Sequence, residues 1–194
     1  KRQALHGVMR RNPEHRKAPL ALLSISPDLK APDLAAAGVF SQLQDGPAAV
    51  LAGRPLGVAQ DWRALEALDG DLEKVTPRDL VYHEAARLRA GWRLASGDPE
   101  RAREAMVILD AASAPRSTVS DAVLRARAAA VAGDSAGAHQ ILLSVLPYLK
   151  ETPVHRPVAR RALAVLAIAR PEGVTASERA QLEGRLRRIA RTGP

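Results

Sequence analysis

Gly97-Asp98-Pro99-Glu100-Arg101-Ala102 overlays Gly133-Asp134-Ser135-Ala136-Gly137-Ala138, and each segment opens an amphipathic helix at the same phase. Glycine ends a helix because it enters the left-handed region without a Cβ penalty, and aspartate begins the next by capping its free N–H groups. An alanine four residues beyond each aspartate leaves room for a close helix neighbour. The pattern recurs after 36 positions, from 97 to 133, within the period range of helix-hairpin repeats. Such punctuation predicts an all-α fold built as an array of antiparallel helix hairpins. Composition agrees: aromatics are 3% of residues against a hydrophobic total of 46%, so the apolar content is mostly Ala, Leu and Val, as in many bacterial-type sequences.

The punctuation is regular over 76–194, where three helix pairs are expected at 76–115, 117–150 and 152–191. In the first pair, Thr76-Pro77 supplies a cap and a proline at the first helical position, and Val81, Ala85, Leu88, Trp92 and Ala95 form the apolar stripe. Its second helix, after Asp98, carries Ala102, Ala105, Met106 and Leu109. The second pair starts near Ser117 to Ser120 with Leu124, Ala128 and Val131 on one face. It returns through Ala138, Ile141, Leu142, Val145, Leu146 and Leu149. Thr152-Pro153 opens the third pair, with Val158, Ala162, Leu163, Leu166 and Ala169 inward, until Pro171-Glu172-Gly173 breaks it. Thr175 and Glu178 form a capping box for the last helix, which turns Leu182, Leu186 and Ile189 inward.

Residues 1–75 are less regular, and prolines at 13, 19, 27, 32, 47 and 55 cut the pattern. Helices are expected near 2–11, 14–24, 33–44 and 61–69, an irregular helical part that degenerate repeats would also produce. The stretch Asp45 to Gln60 holds Gly46, Pro47, Gly53, Pro55 and Gly57 and reads as an ordered loop or one short helical turn.

Residues 76–191 resemble the tetratricopeptide-like repeat superfamily. The likeness rests on Gly97-Asp98 and Gly133-Asp134 at the inter-helix turn, Ala102 and Ala138 on the second helix, and the pairs Met106/Leu142 and Leu109/Val145. The family's Trp, Leu-Gly and Tyr on its first helix have no counterpart here, and Pro115 only approximates its repeat-end proline. The resemblance implies a right-handed superhelical α-solenoid whose concave groove, lined by first helices, binds peptides or other proteins.

Net charge is +8, from 24 arginines and five lysines against 21 acids. Residues 1–30 and 151–194 carry +5 each, so the excess lies at the two ends. With no cysteine, disulfides, thiol catalysis and thiolate metal sites are excluded, while cytosol and periplasm both stay open. The first residue is Lys1 rather than Met, which suggests a processed or partial chain whose missing N-terminal segment held a signal or a membrane anchor. A periplasmic or membrane-tethered location is preferred over a cytoplasmic one on that ground.

No catalytic, cofactor or metal motif stands out. His6, His15, His83, His139 and His155 are scattered, and His83-Glu84 begins a zincin-like pattern that fails because Arg87 stands where the second histidine belongs. Tyr82, Arg89 and Arg93 fall on one stripe beside the core face of their helix, Arg125 sits at the matching offset on the next first helix, and Arg156 and Arg160 continue it. These six residues either line a basic groove that clamps a carboxylate-bearing peptide or form a solvated flank with Glu84, Glu100 and Glu104 as partners. Arg179, Arg185, Arg187, Arg188 and Arg191 suit a polyanion, although the helix macrodipole and a Glu183–Arg187 pair also account for them. Arg2, Arg10, Arg11, Arg16 and Lys17 suit a flank beside a lost anchor. Trp92 is expected in the core; Trp62 is assigned to neither core nor surface.

The expected function is a non-enzymatic protein-interaction scaffold or assembly factor with a protein or peptide partner, an acidic one fitting best. The rival readings are a basic module that attaches to nucleic acid or anionic membrane, and a docking domain of a larger enzyme.

Overall fold

The computed structural model describes residue 11 and residues 46–79, 81–112 and 118–191, and the regular structure among them is entirely helical. The helices expected near 2–11, 14–24 and 33–44 lie outside the described residues, residue 11 excepted, as does Pro115. In chain order the elements are α1 (Gly46–Ala59), α2 (Trp62–Ala67), α3 (Asp69–Leu72), α4 (Tyr82–Ala95), α5 (Pro99–Ala111), α6 (Val119–Val131), α7 (Ser135–Val145), a 3-10 turn (Leu146–Tyr148), α8 (Arg156–Ile168) and α9 (Ala176–Arg191). The chain divides into two compact units, Lys1–Ala95 and Ser96–Pro194. The pair expected over 76–115 therefore has its first helix in one unit and its second in the other.

In the first unit, α1 overturns the loop expected between Asp45 and Gln60. An internal proline, here Pro55, costs roughly 3 kcal/mol. Val50 and Leu56 are both fully buried, and at roughly 1.5–3 kcal/mol each they outweigh it. The glycines are contact points rather than breakers. A Cβ on Gly53 would lie 2.8 Å from Leu88 Cδ1, one on Gly57 would lie 3.0 Å from Leu88 Cδ2, and one on Gly46 would lie 2.6 Å from Val75 Cγ2 and 2.9 Å from Val75 N. Their spacing, i, i+7 and i+11, puts all three on one helix face, against which α4 and the segment after α3 close. Asp61 caps α2 by accepting from the Ala64 N–H at 3.1 Å, and Leu65, Leu68 and Leu72 complete the core. Trp62 packs partly buried against it. α4 begins at Tyr82, not at Pro77, because the Asp79 carboxylate accepts from both the Thr76 N–H and its hydroxyl and holds 76–79 as a separate turn. Ala85 and Trp92 are buried as expected, Val81 and Leu88 partly so, and Ala95 is exposed.

In the second unit, both Gly-Asp turns form as the sequence indicates. Gly97 has φ +70° and Gly133 φ +93°, and no Cβ contact crowds either, so backbone conformation alone selects glycine. Asp98 accepts from the Glu100 N–H at 2.8 Å and Asp134 from the Gly137 N–H at 2.8 Å, each capping the next helix. Ala102 and Ala138 are fully buried. α6 starts with a capping box between Thr118 and Asp121 and packs against α5, α7 and α8. Its buried residues are Val123, Ala126, Ala128, Ala129 and Ala130, whereas Leu124 and Val131, expected inward, are only half-buried. α8 begins at Arg156 rather than after Thr152-Pro153, and Val158, Ala159, Ala162, Val165 and Leu166 face inward. The Thr175–Glu178 capping box is present, and Leu182, Leu186 and Ile189 are buried beneath α9.

Candidate functional site

Among the described residues, each unit has a buried polar cluster, and the second also carries a basic outer face. In the first unit, Asp69 opens α3 and lies opposite α4. Its Oδ1 accepts from Arg93 Nη1 at 2.8 Å, Trp92 Nε1 at 3.0 Å and Arg89 Nε at 3.1 Å, while Oδ2 accepts from Arg93 Nη2 at 2.8 Å. Arg89 Nη2 also reaches Glu73 Oε1 at 3.0 Å. The Arg93 guanidinium lies 4.3 Å from the centroid of the Trp92 ring, a cation–π contact. Burial alone pushes the Asp69 carboxyl up, but hydrogen bonds from Arg93, Trp92 and Arg89, with the Arg93 charge, outweigh it and hold the group at about 2. A carboxylate so surrounded is a fixed anchor for two arginines. Trp92 is thus core, with its one polar atom satisfied.

In the second unit, His139 is fully buried on α7. Its Nδ1 lies 2.7 Å from the Ser135 carbonyl oxygen and its Nε2 lies 3.0 Å from Arg179 Nη1. A carbonyl only accepts, so Nδ1 carries the proton and Nε2 accepts from the guanidinium. Arg179 also donates from Nη1 to the Ala169 carbonyl at 3.0 Å and from Nη2 to the Leu166 carbonyl at 2.6 Å, satisfying carbonyls left open at the end of α8. Ser135 Oγ accepts from the Arg170 N–H at 3.0 Å. With both ring nitrogens engaged and Ser135 Oγ turned to Arg170, Ser135 and His139 do not form a nucleophile–base couple.

The residues expected to bind a partner fall in both units. Tyr82, Arg89 and Arg93 belong to the first. Tyr82 packs partly buried against the core, with its ring edge-on to His83 at 6.0 Å, and the two arginines are the Asp69 ligands just described. Glu84, named as a flank partner, instead pairs with Arg54 through Nε–Oε1 at 2.6 Å and Nη2–Oε2 at 2.7 Å. Arg125, Arg156 and Arg160 belong to the second unit. Arg125 pairs with Asp110 at 2.5 Å, Arg156 keeps a buried Nε without a hydrogen-bond partner among the described residues, and Arg160 is exposed on α8. Arg179, counted with the polyanion-facing arginines, is instead the α8 cap.

The rest of that run lies outside. At 100° per residue, Gly184, Arg187, Arg188 and Arg191 occupy the pole of α9 opposite Leu182, Leu186 and Ile189. They line an open recess of about 520 Å³ whose floor is the bare backbone at Gly184, where an added Cβ would meet nothing within 4 Å. Arg187 pairs with Glu183 and Arg188 lies 3.9 Å from Glu151. Among the described residues, no acidic group pairs with Arg185 or Arg191. Also among the described residues, no group of three or more His, Asp or Glu is arranged to hold a metal ion, and no helix is long and apolar enough to cross a membrane.

No protein-family model, no curated protein and no solved structure matches this chain.

Proposed function

We propose that this chain is a non-enzymatic, tetratricopeptide-like scaffold that holds an acidic protein or peptide partner. The observation that carries the reading is the neighbour scheme of the second unit: α6 packs on α7, α8 packs on α9, and α6 and α8 also pack on each other. First helix against first helix, each with its own second helix, is how stacked antiparallel hairpins share one core. The exposed arginines supply the sign of the partner. Arginine presents a planar fork that meets a carboxylate through two parallel N–H donors, and arginines outnumber lysines 24 to five.

The experiment is capture from a nuclease-treated, detergent-cleared lysate on the immobilised chain, at low and high salt. A discrete protein retained after both treatments, and released by salt, supports the scaffold. Retention that disappears with nuclease or detergent overturns it in favour of attachment to nucleic acid or membrane.

A further inference from the structure

We propose that the outer pole of α9 is the docking site for the acidic partner, with Gly184 as its floor and Arg187, Arg188 and Arg191 as its walls, and that the occupant is a short polypeptide segment presenting carboxylates at helical spacing. This inference rests on the scaffold reading and assigns it a place.

Three features single out this face. It is rigidly backed, because Leu182, Leu186 and Ile189 are at most 1% exposed on the opposite side of the same helix. It is open at its centre, because Gly184 lacks a side chain and its neighbours leave the space above it empty. It also has cationic capacity to spare, since Arg191 has no acidic partner among the described residues and the Arg188–Glu151 separation of 3.9 Å is too long for a hydrogen bond.

Spacing and charge complementarity identify the occupant. Arg187 and Arg191 are four residues apart, a rise of about 6 Å, which is also the separation of glutamates at i and i+4 on a partner helix. The recess over Gly184 admits a side chain or a closely approaching backbone, for which a flat lipid surface has no use. Glu183 and Glu151 flank the ridge. A continuous polyanion is repelled by those charges along its length. A short segment that sets two or three carboxylates over the recess meets Arg188 and Arg191 together with Arg187, which it shares with Glu183, and avoids most of that repulsion.

The test uses the full chain and a fluorescein-labelled helical peptide with glutamates at i, i+4 and i+8, titrated by anisotropy at low salt. In one variant, Arg187→Gln, Arg188→Gln and Arg191→Gln are combined. A control combines Arg63→Gln, Arg78→Gln and Arg103→Gln, which removes the same charge elsewhere. Gly184→Leu fills the recess without changing charge. The pole variant is expected to bind about tenfold more weakly, three exposed ion pairs' worth. The control should change less than about twofold, consistent with long-range screening alone. Gly184→Leu should weaken binding several-fold with an undiminished melting temperature. If the pole variant stays within twofold of wild type, the site is overturned while the scaffold reading stands. If duplex DNA or anionic vesicles bind more tightly than the peptide and lose that affinity in the pole variant, the occupant is overturned. If the wild-type chain binds no acidic peptide at all, the scaffold reading falls with the site.

Discussion

Arg179 donates to Nε2 of His139, forty residues away in the chain, across 3.0 Å, and the same guanidinium closes two carbonyls at the end of α8. The consequence is that α7, α8 and α9 are joined through one side chain. Replacing Arg179 by lysine keeps the charge but loses the fork, so at least one of three buried acceptors is stranded. The variant should lose about 1–3 kcal/mol. His139→Ala should lose a similar amount, and the double variant less than the sum. Urea denaturation of all three provides the check, and additive losses would show that the two residues act independently.

Asp69 is the corresponding centre of the first unit. Asp69→Asn removes the charge that compensates Arg89 and Arg93, whose side chains are 16% and 9% exposed. Removing the charged partner from a largely buried ion-pair cluster costs more than the pair contributes, so a loss of about 2–4 kcal/mol is expected. Arg93→Met, which removes the most buried cation and fills its volume, should cost less than Asp69→Asn. Thermal melts of the two variants decide the order.

The same carboxylate sets an acid limb. Its folded value of about 2 lies below the ordinary 3.8, so the unfolded chain binds the proton more tightly. The resulting stabilisation is fully present above the unfolded value and is lost as pH falls through about 4 to 2. After allowance for solvent screening, the amount at stake is about 1–2 kcal/mol. Denaturation midpoints measured down this range should fall less steeply for Asp69→Asn than for wild type.

Two glycines should respond with opposite sign to the same substitution. Gly184→Ala adds a methyl in open space on an exposed helix and should stabilise by about 0.5–1 kcal/mol. Gly46→Ala drives a Cβ to 2.9 Å from the Val75 backbone nitrogen, which has no rotamer through which to yield, and should destabilise by about 1–3 kcal/mol. Paired calorimetric melts test both, and stabilisation by Gly46→Ala would remove the packing account of α1.

Local chemistry was legible in the sequence. The positive φ of Gly97 and Gly133, the aspartate caps, the Thr175–Glu178 box and the Leu182, Leu186 and Ile189 stripe each depend on residues within a few positions of one another. α1 reads as a loop by propensity because Gly46, Gly53, Pro55 and Gly57 are breakers, whereas the i, i+7, i+11 spacing of the three glycines is a tertiary signal for a close-packed helix face. Of the α6 stripe Leu124, Ala128 and Val131 only Ala128 is buried, because that helix is enclosed by α5, α7 and α8, so small alanines fill most of its circumference and no single stripe marks the core. The polar clusters were hidden for a different reason. Asp69 and Arg93 are 24 residues apart and His139 and Arg179 are 40 apart, and no periodicity links such pairs. The basic run at the end was visible as a run, but only the position of the core separates Arg179 inside from Arg191 outside.

Alanine has no rotamers with which to interlock, so helices that meet through alanine surrender little contact when one slides past another. A displacement of one turn, about 5.4 Å, would carry Leu182, Leu186 and Ile189 of α9 along a face of α8 that mixes Ala159 and Ala162 with Val158, Val165 and Leu166, and would empty every bond that Arg179 makes. A guanidinium that must meet an imidazole nitrogen and two carbonyls together fits one alignment of the helices and no other. Arg179 thus acts as an indexing pin, adding a directional constraint to an apolar contact in which the alanines of α8 supply little interlock of their own.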